Sequence, residues 1–226
     1  MIKWEKLPPE MQNEKVKEYY DALGHRAFSL LLKRAFDIFA SLVLIVLLSP
    51  VMLVLAIWIK CDSEGPVFYR SERVTRYNKS FKIFKFRTMV TNADKMGSLI
   101  TVQGDSRITK VGAKIRHSRL DEIPQLFNVF IGEMSFVGTR PEVRKYVDAY
   151  SDEMMATLLL PAGITSTASI NYKDEDTIMK ELCDKGISVD EAYINHVLPE
   201  KMKYNLEYTK SAGLFHDIAI CIKTLL

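Results

Sequence analysis

The segment Ile38–Ile59 reads IFASLVLIVLLSPVMLVLAIWI, without a single charged side chain. At ~1.5 Å per residue it makes roughly 33 Å of helix, enough to cross a hydrocarbon core of ~30 Å. It does not read as a cleaved secretory leader, because it starts late, runs long and lacks a small-residue cleavage pattern. The competing reading is a buried helix of a soluble domain.

Pro50 lies near the middle of the run, after Ser49. Proline removes one backbone donor, and its ring clashes with the carbonyl four residues back, here that of Val46. A kink or break is expected, with the Ser49 hydroxyl placed to satisfy the freed carbonyl. Arg26, Lys33 and Arg34 precede the run, and Lys60, Arg70, Arg73, Arg76 and Lys79 follow it. Positive charge ordinarily marks only the cytoplasmic flank of a span. A bent helix that enters and leaves by one leaflet accounts for both charged flanks and for Pro50. The re-entrant reading is therefore preferred to a straight span.

The remaining sequence can bury a core, since 48% of the chain is hydrophobic and 26% charged. Lys+Arg 31 against Asp+Glu 28 leaves +3, too weak a field for a dedicated nucleic-acid binder, so no nucleic-acid partner is expected. The three cysteines, Cys61, Cys183 and Cys221, are scattered and form no CxxC, which fits reduced thiols. His25, His117, His196 and His216 have no zinc-ligand spacing.

The expected fold class is α+β: a monotopic membrane protein with an N-terminal re-entrant helix and a compact cytoplasmic catalytic domain. Residues 1–33 form an N-terminal interfacial segment, whose mixture of Leu, Phe, Lys and Arg suits a helix at the headgroups or an ordinary solvated lead-in. Residues 34–60 form the membrane helix, and residues 61–226 the cytoplasmic domain. In that domain Glu64-Gly65-Pro66 signals a turn, and two short strands joined through TRYNKS make a β-hairpin. Residues 111–131 return to a helical period, with Leu120, Ile123, Phe127 and Phe130 on one side. Amphipathic helices follow around DEDTIMKELC, SVDEAYINHVL, PEKMKYNLEYTK and LFHDIAICIKTLL. Ser188 with Glu191 forms a capping box, and Pro199 suits a first helical turn. In the last helix Leu214, Ile218, Cys221 and Leu225 share a face that could pack on the core or rest on lipid.

Chemistry concentrates in Arg116–Asn128, RHSRLDEIPQLFN. Asp121 and Glu122 are adjacent carboxylates just before Pro124, a residue tolerated only near a helix start. A carboxylate there is kept ionised by the free N–H groups, and can act as a nucleophile or hold a divalent metal. By itself the pair reads equally as a local cap. Its neighbours add weight: Lys85 and Arg87 end the hairpin, Arg116 and Arg119 precede the carboxylates, and Gly138-Thr139-Arg140-Pro141-Glu142 follows. Fixed cations beside acids suit a diphosphate–metal complex. No GxxxxGK[ST] or GxGxxG is present, so P-loop and Rossmann readings gain no support.

From Lys33-Arg34-Ala35-Phe36-Asp37 onward the chain resembles the bacterial sugar transferase family, the monotopic phosphoglycosyl transferases. The resemblance is carried by Ser49-Pro50, Gly65-Pro66-Val67-Phe68, Lys82, Phe84 to Met89 and Asp105 to Thr109. It continues through Arg116 to Asn128, Gly132 to Ser135, Val137 to Glu142 and Pro161 to Thr165. It implies transfer of a sugar phosphate from a nucleoside diphosphate sugar, usually a UDP-sugar, to polyprenyl (undecaprenyl) phosphate, releasing UMP. Asp121 is then the nucleophile and, with Glu122, the family's catalytic dyad, with magnesium held at Asp121. Lys85, Arg87, Arg116, Arg140, Glu142 and Asp217 fall on substrate-binding positions. The partners implied are the sugar nucleotide, the polyprenyl phosphate and membrane lipid, with a homodimer also admitted. The location implied is the cytoplasmic face of a bacterial inner membrane, at the start of a glycan pathway. The chain departs from the family pattern at Asn205, where an Asp is more usual, and in Ser169–Asp176. The competing readings are a transferase that moves the sugar without its phosphate and a non-catalytic scaffold of a glycan assembly complex.

Overall fold

The long apolar run lies within a helix that begins well before it. In the computed structural model, which describes residues 1–93, 96, 105–172 and 175–225, helix α1 spans Glu14–Gly24 and helix α2 spans Ala27–Asp62. Helix α2 continues through Pro50, and the Ser49 hydroxyl donates to the Val46 carbonyl at 2.8 Å. That is the carbonyl whose helical donor proline removes, so the expected local repair is present. The helix is long and apolar enough to cross a membrane, and only 11% of its most apolar window is buried by the rest of the protein.

The buried residues of α2 change character along its length. In the first half they are Lys33, Asp37 and Ser41, a polar stripe at four-residue spacing; in the second half they are Met52, Leu55 and Ile59. The latter three pack with Phe86, Val111 and Ile115. Lys33, read from the sequence as one of the charges that precede the apolar run, is therefore an interior residue.

Strands β1 (Phe68–Thr75) and β2 (Lys79–Phe86) form the expected antiparallel hairpin, with Phe68 opposite Phe86 and Thr75 opposite Lys79. The helical stretch expected over 111–131 is divided into α3 (Lys110–His117), a 3-10 turn at Leu120–Glu122 and α4 (Gln125–Ile131). Arg119 has φ +55° at the break, a left-handed conformation rare for a side chain of this size. Strand β3 (Met134–Val137) then pairs in parallel with β4 (Ala162–Thr165), a pairing not read from the sequence. Each strand has only four residues, too few for a period to show. Gly138 and Gly163 allow the two backbone segments to meet, since a Cβ on Gly163 would lie 2.1 Å from the Gly138 nitrogen.

Short helices α5 (Arg144–Val147) and α6 (Thr167–Asn171) flank β4 in the chain. The C-terminal helices are α7 (Glu175–Asp184), α8 (Val189–Ala192), α9 (Leu198–Ser211) and α10 (Leu214–Leu225). The Ser188 cap is formed, its oxygen accepting from the Glu191 N–H at 3.2 Å. Lys173 and Asp174 of the divergent 169–176 stretch lie outside the described residues. The face expected of α10 is rotated. Asp217 and Ile220 are buried, whereas Ile218, Ile222 and Phe215 are exposed.

Residues before α2 belong to the largest core. Leu7, Met11, Val16, Tyr19 and Leu23 are buried with Val74, Ala156 and Leu159. These apolar side chains of the first two dozen residues are thus covered by the protein body, whereas Phe28, Leu31 and Leu32, at the start of α2, keep their side chains exposed. All three cysteines are free thiols.

Candidate active site

Two elements distant in sequence converge on Glu122. Its carboxylate Oε1 receives Lys85 Nζ at 2.8 Å from the end of β2 and Arg140 at 2.9 Å from the loop after β3. Arg119 Nη1 lies at 4.0 Å, its side chain largely in solvent. Burial pushes the Glu122 carboxyl upward, but the fields of Arg140 and Lys85 override it and hold the group down at about 2. Glu122 is therefore a fixed anion whose work is to hold two cations. Lys85 is drawn down by burial and back up by Glu122. Arg140 is raised, chiefly by Glu122.

Asp121, one residue earlier on the same 3-10 turn, is 7% exposed. Burial raises its carboxyl, Lys85 opposes that, Glu122 adds to it and Arg116 opposes it again. Among the described residues no ion pair within 4.0 Å closes on Asp121. Two adjacent carboxylates thus have distinct environments: one neutralised by two cations, the other placed beside them without an ion pair among the described residues. Such divergence is how one site keeps separate roles for two acids.

Asn128, fully buried, fixes the distance between these parts and was not singled out from the sequence. Its Oδ1 accepts the Phe84 N–H at 2.8 Å, and its Nδ2 donates to the Lys82 carbonyl and to Glu133 Oε2. It therefore ties β2, one residue before Lys85, to the helix that follows Asp121-Glu122. The motif carried the signal: an amide interrupting an apolar helix face.

Glu142 belongs to an adjoining polar cluster. It accepts from the Tyr193 hydroxyl at 2.5 Å, and Lys201 lies 4.0 Å from it and 3.1 Å from Glu175. Burial and Glu142 push the Tyr193 hydroxyl far up, so it remains a donor. None of these three partners was legible before the chain was folded.

Two of the expected substrate-binding residues face elsewhere. The Arg87 guanidinium, 5% exposed, donates to the carbonyls of Ser63 and Glu64 at the end of α2. Asp217 pairs with Lys33 and accepts from the Tyr208 hydroxyl at 2.8 Å. Both positions carry structural bonds here, and neither is joined to the Glu122 cluster.

A divalent cation would find no all-protein cage, since no group of three or more His, Cys, Asp or Glu side chains converges among the described residues. Magnesium fits differently, because it binds through one or two carboxylates completed by phosphate oxygens and water. Asp121 offers one carboxylate that no cation neutralises among the described residues.

The chain thus combines a helix of membrane-crossing length with a cation-rich carboxylate site. Residues 28–226 match the family model described as bacterial sugar transferase, and the chain belongs to that family. It is 36% identical over 197 residues to a UDP-N-acetylgalactosamine-undecaprenyl-phosphate N-acetylgalactosaminephosphotransferase of Aeromonas hydrophila, covering 86% of this chain and 43% of that protein. It is 39% identical over 199 residues to a UDP-glucose:undecaprenyl-phosphate glucose-1-phosphate transferase of Escherichia coli, covering 86% and 39%. It is 31% identical over 208 residues to the exopolysaccharide production protein ExoY of Rhizobium meliloti, covering 85% and 83%. The chain thus spans less than half the length of the first two relatives.

Proposed function

We propose that the chain is a phosphoglycosyl transferase that moves a sugar phosphate from a UDP-sugar to undecaprenyl phosphate through a covalent intermediate on Asp121. The observation that supports this reading above others is the contrast between Glu122, closed by Lys85 and Arg140, and Asp121, buried beside them with no ion pair among the described residues. In this reading a carboxylate oxygen of Asp121 attacks the sugar-bearing phosphorus. The bond from that phosphorus to the bridging oxygen breaks, and UMP leaves with the electron pair. A phosphate oxygen of the polyprenyl acceptor then attacks the same phosphorus, and the bond to Asp121 breaks, regenerating the carboxylate.

Lys85 and Arg140 neutralise diphosphate oxygens and the charge that develops on the leaving phosphate. Glu122 keeps both cations in place and out of contact with Asp121, whose attack a direct ion pair would weaken. Magnesium held at Asp121 would supply further neutralisation of the diphosphate. Two half-reactions on one carboxylate give ping-pong kinetics.

The same reading places the active site at the cytoplasmic face of a bacterial inner membrane, where α2 dips into the bilayer and returns. Charged residues at both ends of the apolar run and Pro50 within it support that topology, as the relatives' lipid-linked acceptors support the location.

Incubation with each of several UDP-sugars, magnesium and undecaprenyl phosphate in detergent should release UMP with at least one donor. Without acceptor, mass spectrometry should find a phosphosugar ester on the peptide bearing Asp121. Release of UDP would favour transfer of the sugar alone. No turnover with any donor would favour the scaffold.

A further inference from the structure

Lys33 and Arg34 are neighbours on α2, yet they reach opposite sides of the site. Lys33 Nζ, 5% exposed as a side chain, donates to Ser135 Oγ at 2.5 Å, to the Val137 carbonyl at 2.9 Å and to the carboxylate of Asp217. An ammonium has three protons, and all three are taken. Asp37, one turn further, accepts the Phe136 N–H at 3.3 Å, so the helix grips three consecutive residues of β3. Val137 is the last residue of that strand, and Arg140 follows three residues later.

Arg34 turns the other way. Its two terminal nitrogens donate to the carbonyls of Val129 at 2.6 Å and Phe130 at 2.8 Å, the last turn of α4. Helix α4 begins directly after the turn that carries Asp121 and Glu122. Gly132 leaves room for this contact: it has φ +100°, and a Cβ there would stand 3.0 Å from Arg34 Nη2. The far end of α2 is also bound into the site's supports, through Arg87 to the carbonyls of Ser63 and Glu64 and through Asp62, which accepts the Val111 N–H at 3.1 Å.

We infer that Lys33 and Arg34 are positioning residues for the transfer reaction, setting the place of Arg140 relative to the Asp121-Glu122 turn from the helix that meets the membrane. Neither touches the reacting groups; Lys33 acts through Val137 and the loop to Arg140, and Arg34 acts through α4. The inference rests on the proposed transferase reading for its consequence and on the hydrogen-bond geometry for its substance. Apolar packing alone slides at low cost, whereas a buried ammonium with three fixed acceptors does not. That difference explains why the stripe buried on the first half of a membrane-length helix is polar.

The test has two arms on the full-length protein in lipid nanodiscs. Amide hydrogen exchange, which needs no activity, should show residues 138–142 exchanging about tenfold faster in Lys33→Met than in the parent, with β1–β2 unchanged. Arg34→Gln should do the same at residues 125–131, which covers the case in which Lys33→Met fails to fold. Unchanged exchange in both segments overturns the inference, whatever the protein catalyses. In the second arm UMP release is measured for Lys33→Met, Arg140→Gln and the double variant. The first should lose about tenfold or more in kcat with donor KM little changed, and in the Arg140→Gln background its further effect should fall below about twofold. Fully additive losses would mean that Lys33 does not act through Arg140. Absence of UMP release from the parent would overturn the transferase reading and leave the exchange result to decide the inference.

Discussion

Lys85 and Arg140 meet on a single oxygen of Glu122, at 2.8 and 2.9 Å, although they lie 37 and 18 residues away from it in the chain. One carboxylate thereby fixes two cations beside a second carboxylate that has no ion pair of its own among the described residues. The division of labour between Asp121 and Glu122 follows from that contact, and it sets the first expectations.

Asp121→Asn keeps the shape of the side chain and removes the attacking charge. UMP release should fall by ~10³-fold or more, and the covalent adduct should vanish. Expression and sedimentation with membranes should be those of the parent. Full activity in this variant would end the assignment of Asp121 as nucleophile.

Glu122→Gln leaves Lys85 and Arg140 without their shared anion. Two cations held close by a neutral amide repel each other and swing outward, so donor KM should rise and kcat fall, together amounting to ~10²-fold in kcat/KM. Thermal unfolding should shift downward at neutral pH. An effect on stability alone, with kcat/KM unchanged, would contradict the role given to Glu122.

The two carboxylates respond oppositely to pH. The Glu122 carboxyl is lowered from 4.5 to about 2 in the folded protein. Its stabilising contribution is therefore complete above pH 4.5 and is lost as pH falls from 4.5 toward 2. Asp121 is raised above 3.8, so the folded state binds its proton more tightly than the unfolded one. That group costs stability as pH rises through its titration, and its attack needs the ionised form. The donor-only half-reaction should show an acid limb above the ordinary aspartate range. Glu122→Gln removes a neighbouring negative charge and should move that limb to lower pH. A limb at or below 3.8 in the parent would conflict with burial as the dominant influence on Asp121.

Gly132→Ala places a methyl where φ is +100° and where Arg34 Nη2 would be 3.0 Å away. The backbone cost alone is about 1 kcal/mol, and displacement of the guanidinium adds to it. Unfolding temperature should drop by several degrees. An unchanged midpoint would show that the α4 terminus relaxes without penalty.

Topology is open to a direct measurement. Single cysteines introduced beside Glu10 and beside Ser71, in a background without the three native thiols, should react with an impermeant maleimide from the same side of sealed vesicles. Reaction from opposite sides would establish a straight crossing.

Much was legible before folding because it rests on local rules. The Ile38–Ile59 run, the Ser49 repair of the Val46 carbonyl, the hairpin through Arg76–Asn78 and the Ser188 cap all follow from neighbours within a few residues. Asp121-Glu122 marked the candidate site for the same reason: two adjacent carboxylates just before a proline make a short, local motif. What could not be read is which charge meets which. Arg87 and Arg140 are alike in composition and motif setting, yet one closes the end of α2 and the other holds Glu122. Lys33 looked like one more basic flank residue and is instead the buried partner of Asp217, 184 residues away.

Sequence by itself determined the membrane-length helix, the hairpin and the pair of carboxylates, since periodicity, proline chemistry and adjacency act over a turn or two. Tertiary structure alone decided that Glu122 would be neutralised by two cations and Asp121 by none among the described residues, that β3 and β4 would pair, and that a lysine at the mouth of the apolar helix would hold the strand leading to Arg140. Those outcomes depend on burial and on the approach of groups far apart in the chain. The field at a carboxylate is set by the charges around it in space and by the water removed from it, and neither quantity exists until the chain has folded.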